Sequence, residues 1–203
     1  MAYALLQECR EQFNIDADSI AGLVGKIEEI DILDTDATGD LGHWLKNGSS
    51  YKISSYMPQF PPGLLKDGST YNIDLQAIAF PDKQFDIILS SDVMEHVRDL
   101  TAANMEILRC LKPGGVHIFT IPFDEQTTAT RTLIDTSSSK DIYLEPPQVH
   151  GDSITGGIVA YRVYARDLLD TLRSVGFEAN MFSVKARQNG IFEGRYFSAR
   201  RPK

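Results

Sequence analysis

Acidic side chains recur in this sequence where short apolar runs end. Asp34 closes "IDIL", Asp74 follows "TYNI", and Asp92 and Glu95 come soon after "FDIIL". Any one of them alone reads as a cap or turn residue, because Asp favours helix starts and tight turns. Their recurrence in the same relation to apolar runs points further. Carboxylates gathered at one edge suit a ligand with an ammonium group and hydroxyl or amine donors. Two histidines add proton-transfer chemistry. His96 stands in "MEHV", and His150 in "PPQVHGD". Each is a candidate catalytic base, since imidazole titrates near neutrality, although His96, which with Glu95 reads as opening the helix after "FDIILSS", serves equally well as a packing or capping residue. A further stretch, "ILDTDATGDLGHWL" (residues 32–45), has the order of a nucleotide-binding turn: apolar run, acid, loop, amphipathic segment. Asp36 and Thr38 stand where a glycine-rich loop would carry glycines, with Gly39 and Gly42 nearby.

The elements that must position these residues follow from periodicity. Residues 3–13 read as a helix, and "SIAGLVGKI" as a second, capped by Asp16 or Asp18; together residues 1–28 form a helical cover. "EEIDILD" reads as a buried strand and "DLGHWLKN" as a short helix ended by Gly48. "SYKISSY" supplies the next strand and "TYNIDLQAI" holds a short third one ending near Asp74, the two separated by a proline-broken loop. "FDIILSS" joins Phe85 to the run Ile87, Ile88, Leu89, so both of its faces should be covered. "LTAANMEILRCL" is a helix with Met105, Leu108 and Leu111 on one face, stopped by the glycines of "KPGG"; "VHIFTIP" is the strand that follows. Residues 123–160 lack periodicity and read as a lid or substrate insertion. "YARDLLDTLRSVG" is a helix with Leu168, Leu169 and Leu172 inward, and "FEANMFSV" with "GRYFSAR" makes a terminal hairpin.

Strands alternating with helices imply a single α/β domain over residues 1–203. Its mostly parallel sheet is doubly wound, with an antiparallel edge from the hairpin. Ligands of such sheets bind outside the carboxyl ends of the strands, where the acids lie. Composition agrees: 203 residues, 42% hydrophobic and 24% charged, suffice for a core without metal or disulfide staples. Cys9 and Cys110 are too few for a disulfide framework, no zinc-like cysteine or histidine spacing occurs, and no metal is expected. A net charge of −8 disfavours nucleic acid as a partner. The basic stretch from Lys185 to Lys203 reads as a solvated hairpin and tail. Neither a signal peptide nor a membrane span is visible, so a cytoplasmic setting is expected.

One segment carries a resemblance. Residues 80–123, "FPDKQFDIILSSDVMEHVRDLTAANMEILRCLKPGGVHIFTIPF", resemble class I S-adenosylmethionine-dependent methyltransferases of the type 11-like group. The likeness rests on the ordered strand, "EHV", helix and "LKPGG", with weaker similarity over residues 30–200. It implies a Rossmann-like, seven-stranded sheet and S-adenosylmethionine as cofactor. Asp34 would then lie near the methionine ammonium, and residues 36–40, including Asp36, Thr38 and Gly39, under the methionine and ribose. Asp74 would face the adenine amine and Leu75 its ring, while Ser91 and Asp92 would flank the substrate entrance. The family tends to place an acid on the ribose at the end of the second strand. Here Ser54 and Ser55 occupy that end, and serine cannot give the same two-oxygen grip. The implied activity is methyl transfer to a small-molecule or glycan-like acceptor. The alternative is a methyltransferase-fold binding or scaffold protein without catalysis. A nicotinamide enzyme is disfavoured because no G-x-G-x-x-G follows the first strand.

Overall fold

A computed structural model describes residues 1–37, 39–46, 50–64, 68–151, 157–187 and 190–203. Helices α1 (Ala2–Phe13) and α2 (Ile20–Val24) precede strand β1 (Ile32–Asp34), helix α3 (Leu41–Leu45) and strands β2 (Tyr51–Ser55), β3 (Gly63–Leu64) and β4 (Thr70–Asn72). Strand β5 (Phe85–Ser91), α4 (Leu100–Cys110) and β6 (Leu111–Thr120) follow, and α5 (Leu168–Val175), β7 (Glu178–Ala186) and β8 (Ile191–Arg200) finish the chain. The strands form one sheet in the order β7-β8-β6-β5-β1-β2-β4-β3. Pairs β6-β5, β5-β1, β1-β2 and β2-β4 are parallel. β8 runs antiparallel to both its neighbours, and two-residue β3 is an antiparallel addition to the far edge. This is the mostly parallel, seven-stranded Rossmann-like sheet with an antiparallel C-terminal hairpin, plus that short edge.

Side-chain alternation along the strands explains the two layers of helices. Leu33, Ile88 and Phe119 enter one core with Ile107 of α4 and Leu168 and Leu172 of α5. Their chain neighbours Ile32, Ile87, Leu89 and Ile118 enter the other, with Leu5 of α1, Leu23 of α2 and Leu45 of α3. Each fully buried aliphatic or aromatic side chain contributes roughly 1.5–3 kcal/mol, which is why three-residue β1 holds its place between longer strands. Cys9 and Cys110 are buried thiols, pushed up to about 12 and about 11 by desolvation.

Several local expectations are corrected. Ser19, not Asp16 or Asp18, caps α2, its hydroxyl accepting from the Gly22 amide at 3.2 Å. Met105 points outward; the buried face of α4 is Ala103, Asn104, Ile107 and Cys110. The glycines of "KPGG" do not cap that helix, because the chain turns extended at Leu111. Gly114, at φ +80°, and Gly115 lie within β6, where a Cβ on Gly115 would meet the Lys112 carbonyl at 2.9 Å. The basic tail is also not simply solvated. Arg200 pairs with buried Glu8 at 2.8 Å, and Arg201 donates to the carbonyls of Leu108, Arg109 and Leu111. The proposed stop at Gly48 falls outside the described residues.

Candidate functional site

The carboxyl ends of β1, β2, β4 and β5 open on a cavity of about 600 Å³. Its wall includes Asp36, Ser55, Asp74, Leu75, Ser91, Asp92, His96 and His150. Residues distant in sequence meet here because parallel strands all end on one edge of the sheet. Ser55 pairs with Asn72, so β2 delivers Ser55, and the chain just past β4 delivers Asp74, to the same cavity. Asp74 Oδ1 accepts from both the backbone and the side-chain amide of Gln76, each at 2.9 Å. Asp92 directly follows β5 with φ +50°, a left-handed conformation that Asp tolerates better than most residues.

Asp34 and Gly39 line a smaller cavity of about 260 Å³ beside Met1, Ala2 and Trp44; Asp36 and Ser91 border both cavities. Asp34 is turned inward. Its Oδ1 accepts from the Asp36 amide at 3.0 Å and its Oδ2 from the Tyr51 hydroxyl at 2.7 Å. Burial pushes its carboxyl up to about 6, against the pull of those two donors. A Cβ on Gly39 would meet Asp36 Oδ2 at 2.9 Å. The Asp36 carboxylate thus folds back over the loop, into space that a glycine would leave open. Thr38 lies outside the described residues. Ser54, at the end of β2, is turned into the sheet and donates to the Asp34 carbonyl.

The "EHV" stretch departs from its expected geometry. Glu95 and His96 do not open α4; they form a separate 3₁₀ turn, Met94–His96, and α4 starts after Asp99, whose side chain accepts from the Ala102 amide. The segment 158–164 clamps this turn. Tyr161 N–H donates to the Glu95 carbonyl and the Tyr164 hydroxyl to the Met94 carbonyl, both at 2.8 Å, and Arg162 donates to the carbonyls of Val97 and Arg98. A short antiparallel ribbon, Val149–His150 with Ile158–Val159, closes the cavity from the same side. Two further ribbons pair Arg131–Thr132 with Arg162–Val163 and Ile134–Asp135 with Ile142–Tyr143, so the region read as an insertion is built from short strands. The Glu95 side chain is 1% exposed. Desolvation pushes its carboxyl up to about 7, helped by the charge of Asp92 and offset in part by its own backbone amide. The His96 and His150 rings meet edge to face with centroids 4.9 Å apart.

Tyr161, Gln76, Val159 and the roof of the cavity carried no sequence signal, because they come from loops without periodicity.

Residues 56–119 match the family model described as a methyltransferase domain. The chain has the class I methyltransferase fold. Solved structures share that fold at low identity. The 4+2 cyclase SpnF is 18% identical with a TM-score of 0.53, over 90% of this chain and 81% of that one. An S-adenosylmethionine-dependent methyltransferase from Mesorhizobium loti is 16% identical with a TM-score of 0.52, over 85% and 91%. The 1,6-didemethyltoxoflavin-N1-methyltransferase of Burkholderia thailandensis, bound to 1,6-didemethyltoxoflavin and S-adenosylhomocysteine, is 13% identical with a TM-score of 0.50, over 99% and 85%. No curated protein sequence matches the chain. No described helix of this methyltransferase-fold chain is long and apolar enough to cross a membrane.

Proposed function

We propose that this chain is an S-adenosylmethionine-dependent methyltransferase acting on a small-molecule or glycan-like acceptor. The observation that carries the reading is the larger cavity, at the carboxyl edge of a methyltransferase-fold sheet, with Asp74 and Leu75 on one wall and Ser91 and Asp92 on another. Asp74 would accept from the adenine amine and Leu75 would cover the ring. Ser55 would take a ribose hydroxyl with a single hydrogen bond. Asp36, Thr38 and Gly39 would bound the methionine portion. Asp34 would act electrostatically from beneath the loop, because both its oxygens are engaged. A 4+2 cyclase, SpnF, shares the fold, so the fold alone does not fix the reaction.

Methyl transfer needs little covalent help. The methyl group leaves a sulfonium in line with the attacking atom, so positioning and exclusion of water supply much of the rate. A base is needed only where the nucleophile must lose a proton, and His96 and His150 are the candidates on the cavity wall. The segment 123–160 would cover the acceptor. We assign the chain to a reducing, cytoplasmic setting, in keeping with its buried thiols, with no nucleic-acid or membrane partner.

One observation favours a second reading, a binding or scaffold module without catalysis: the Asp36 carboxylate lies over Gly39, in space the cofactor loop would otherwise leave free. Calorimetry with S-adenosylmethionine and its demethylated product separates the two. The enzyme reading predicts saturable binding of both, weakened at least tenfold by Asp74→Ala. Absence of heat at millimolar ligand would favour the module.

A further inference from the structure

We propose that Glu95, His96 and His150 bind a divalent first-row transition-metal ion on the wall of the larger cavity. The donor atoms of the three side chains lie within 4.8 Å of one another. They come from two separate elements, the 3₁₀ turn after β5 and the ribbon strand Val149–His150, so the grouping is a product of the fold.

The buried carboxylate is the first argument. Glu95 is fully buried, and among the described residues no other residue donates a hydrogen bond, from side chain or backbone, to either of its oxygens. Buried polar atoms are nearly always paired, and an unpaired carboxylate carries a large desolvation penalty. The groups that approach Glu95 Oε1 are the two imidazoles, with His150 Nδ1 at 3.5 Å and His96 Nε2 at 3.7 Å. Both separations are too long for good hydrogen bonds. They are close to the spacing of two ligands on one ion: bonds of about 2.1 Å at tetrahedral angles put ligand atoms about 3.4 Å apart.

The second argument is the proton on His96. Its Nδ1 lies 2.9 Å from the Val159 carbonyl oxygen. A carbonyl can only accept, so Nδ1 carries a hydrogen toward it. Nε2 is the ring nitrogen turned toward Glu95 and His150. Metal-bound histidines are held in this way, one ring nitrogen on the ion and the other donating to a carbonyl or carboxylate. The same ribbon that supplies the Val159 carbonyl carries His150, whose position pairs with Ile158. The clamp from Tyr161, Arg162 and Tyr164 fixes the turn below. The site is therefore organised before any ion arrives.

Two imidazoles and one carboxylate select among metals. Calcium and magnesium take oxygen ligands, whereas imidazole suits zinc, iron, nickel, copper and their neighbours. Three protein ligands leave coordination positions open. Because His96 and His150 line the cavity, those positions face the space assigned to the acceptor, where an oxygen or a water could complete the shell. The ion would polarise an acceptor hydroxyl directly. The histidines would then hold the ion rather than take a proton. Metal binding is independent of the cofactor assignment, and it is tested without cofactor.

The whole chain, stripped with a chelator and then dialysed, is titrated with Co²⁺ and followed by visible absorption, and with Zn²⁺ followed by calorimetry. We expect one equivalent of either ion and a Co²⁺ band typical of mixed nitrogen and oxygen ligands. Glu95→Gln and His150→Ala should each lower affinity at least tenfold. His150 is half-exposed on a surface ribbon, so its variant decides the matter should Glu95→Gln not fold. No binding of Co²⁺ or Zn²⁺ at millimolar concentration would overturn the proposal, as would affinity unchanged in a folded His150→Ala.

Discussion

Replacing Asp34 with Asn should make this protein more stable at neutral pH, and the gain should vanish in acid. Asp34 is buried between β2 and the first loop, and its carboxyl is raised from the ordinary 3.8 to about 6, chiefly by desolvation. The folded state therefore holds a proton that the unfolded chain releases between those two values. Stability is unpenalised below pH 3.8, falls as pH rises through that window, and is reduced by the full amount above 6. A shift of about two units at about 1.4 kcal/mol each makes the penalty roughly 3 kcal/mol at pH 7.5. Asparagine removes it. Its oxygen can still accept from the Asp36 amide, and its nitrogen can donate to the Tyr51 oxygen once that hydroxyl rotates. Any loss from the altered hydrogen bonds is independent of pH, and Glu95 and Glu8, also raised by burial, are common to both proteins and cancel. Urea unfolding of both proteins from pH 4 to 7.5 should show the variant gaining about 2–3 kcal/mol on the wild type across that range. A difference that stays flat with pH, or that turns against the variant toward neutrality, would refute the reasoning. The retention of a carboxylate at such a cost fits a functional rather than a structural role for Asp34.

Two further substitutions test how the sheet is held. Arg200→Ala strands the Glu8 carboxylate between α1 and β8, and breaking a buried pair from one side should remove about 3–5 kcal/mol, read as a fall in the urea midpoint; Glu8→Gln should lose less. Gly115→Ala forces a Cβ against three carbonyl oxygens at 2.9–3.1 Å, and backbone on every side cannot yield, so a loss of about 1–3 kcal/mol in the same assay is expected; a neutral outcome would mean that β6 shifts freely.

The sheet was legible because its information is local. Three apolar residues in a row at Ile87–Leu89 require cover on both faces, which α4 and α5 supply on one side and α1, α2 and α3 on the other. Positions at the strand ends followed, since parallel topology carries Asp74, Ser91 and Asp92 to one edge. What could not be read was side-chain direction. "ILDTD" does not reveal that Asp34 turns inward to Tyr51, because that contact depends on the register of β1 with β2. Met105 was misjudged for a related reason: α4 presents its small residues Ala103 and Cys110 to the sheet, so an apolar side chain on the next turn remains outside. "EHV" looked like a helix start, yet the clamp from residues 158–164 sets it apart as a turn. The grouping of Glu95 with His150 had no signature in sequence spacing, because a ribbon without periodicity closes it.

The most direct test of the central reading is a crystal structure of the whole chain with S-adenosylhomocysteine. The account predicts the adenine in the larger cavity, its amine at Asp74 and its ring on Leu75, with the Asp36 side chain bordering the homocysteine portion. Adenine bound elsewhere, or a cavity free of ligand in crystals grown at millimolar concentration, would contradict it.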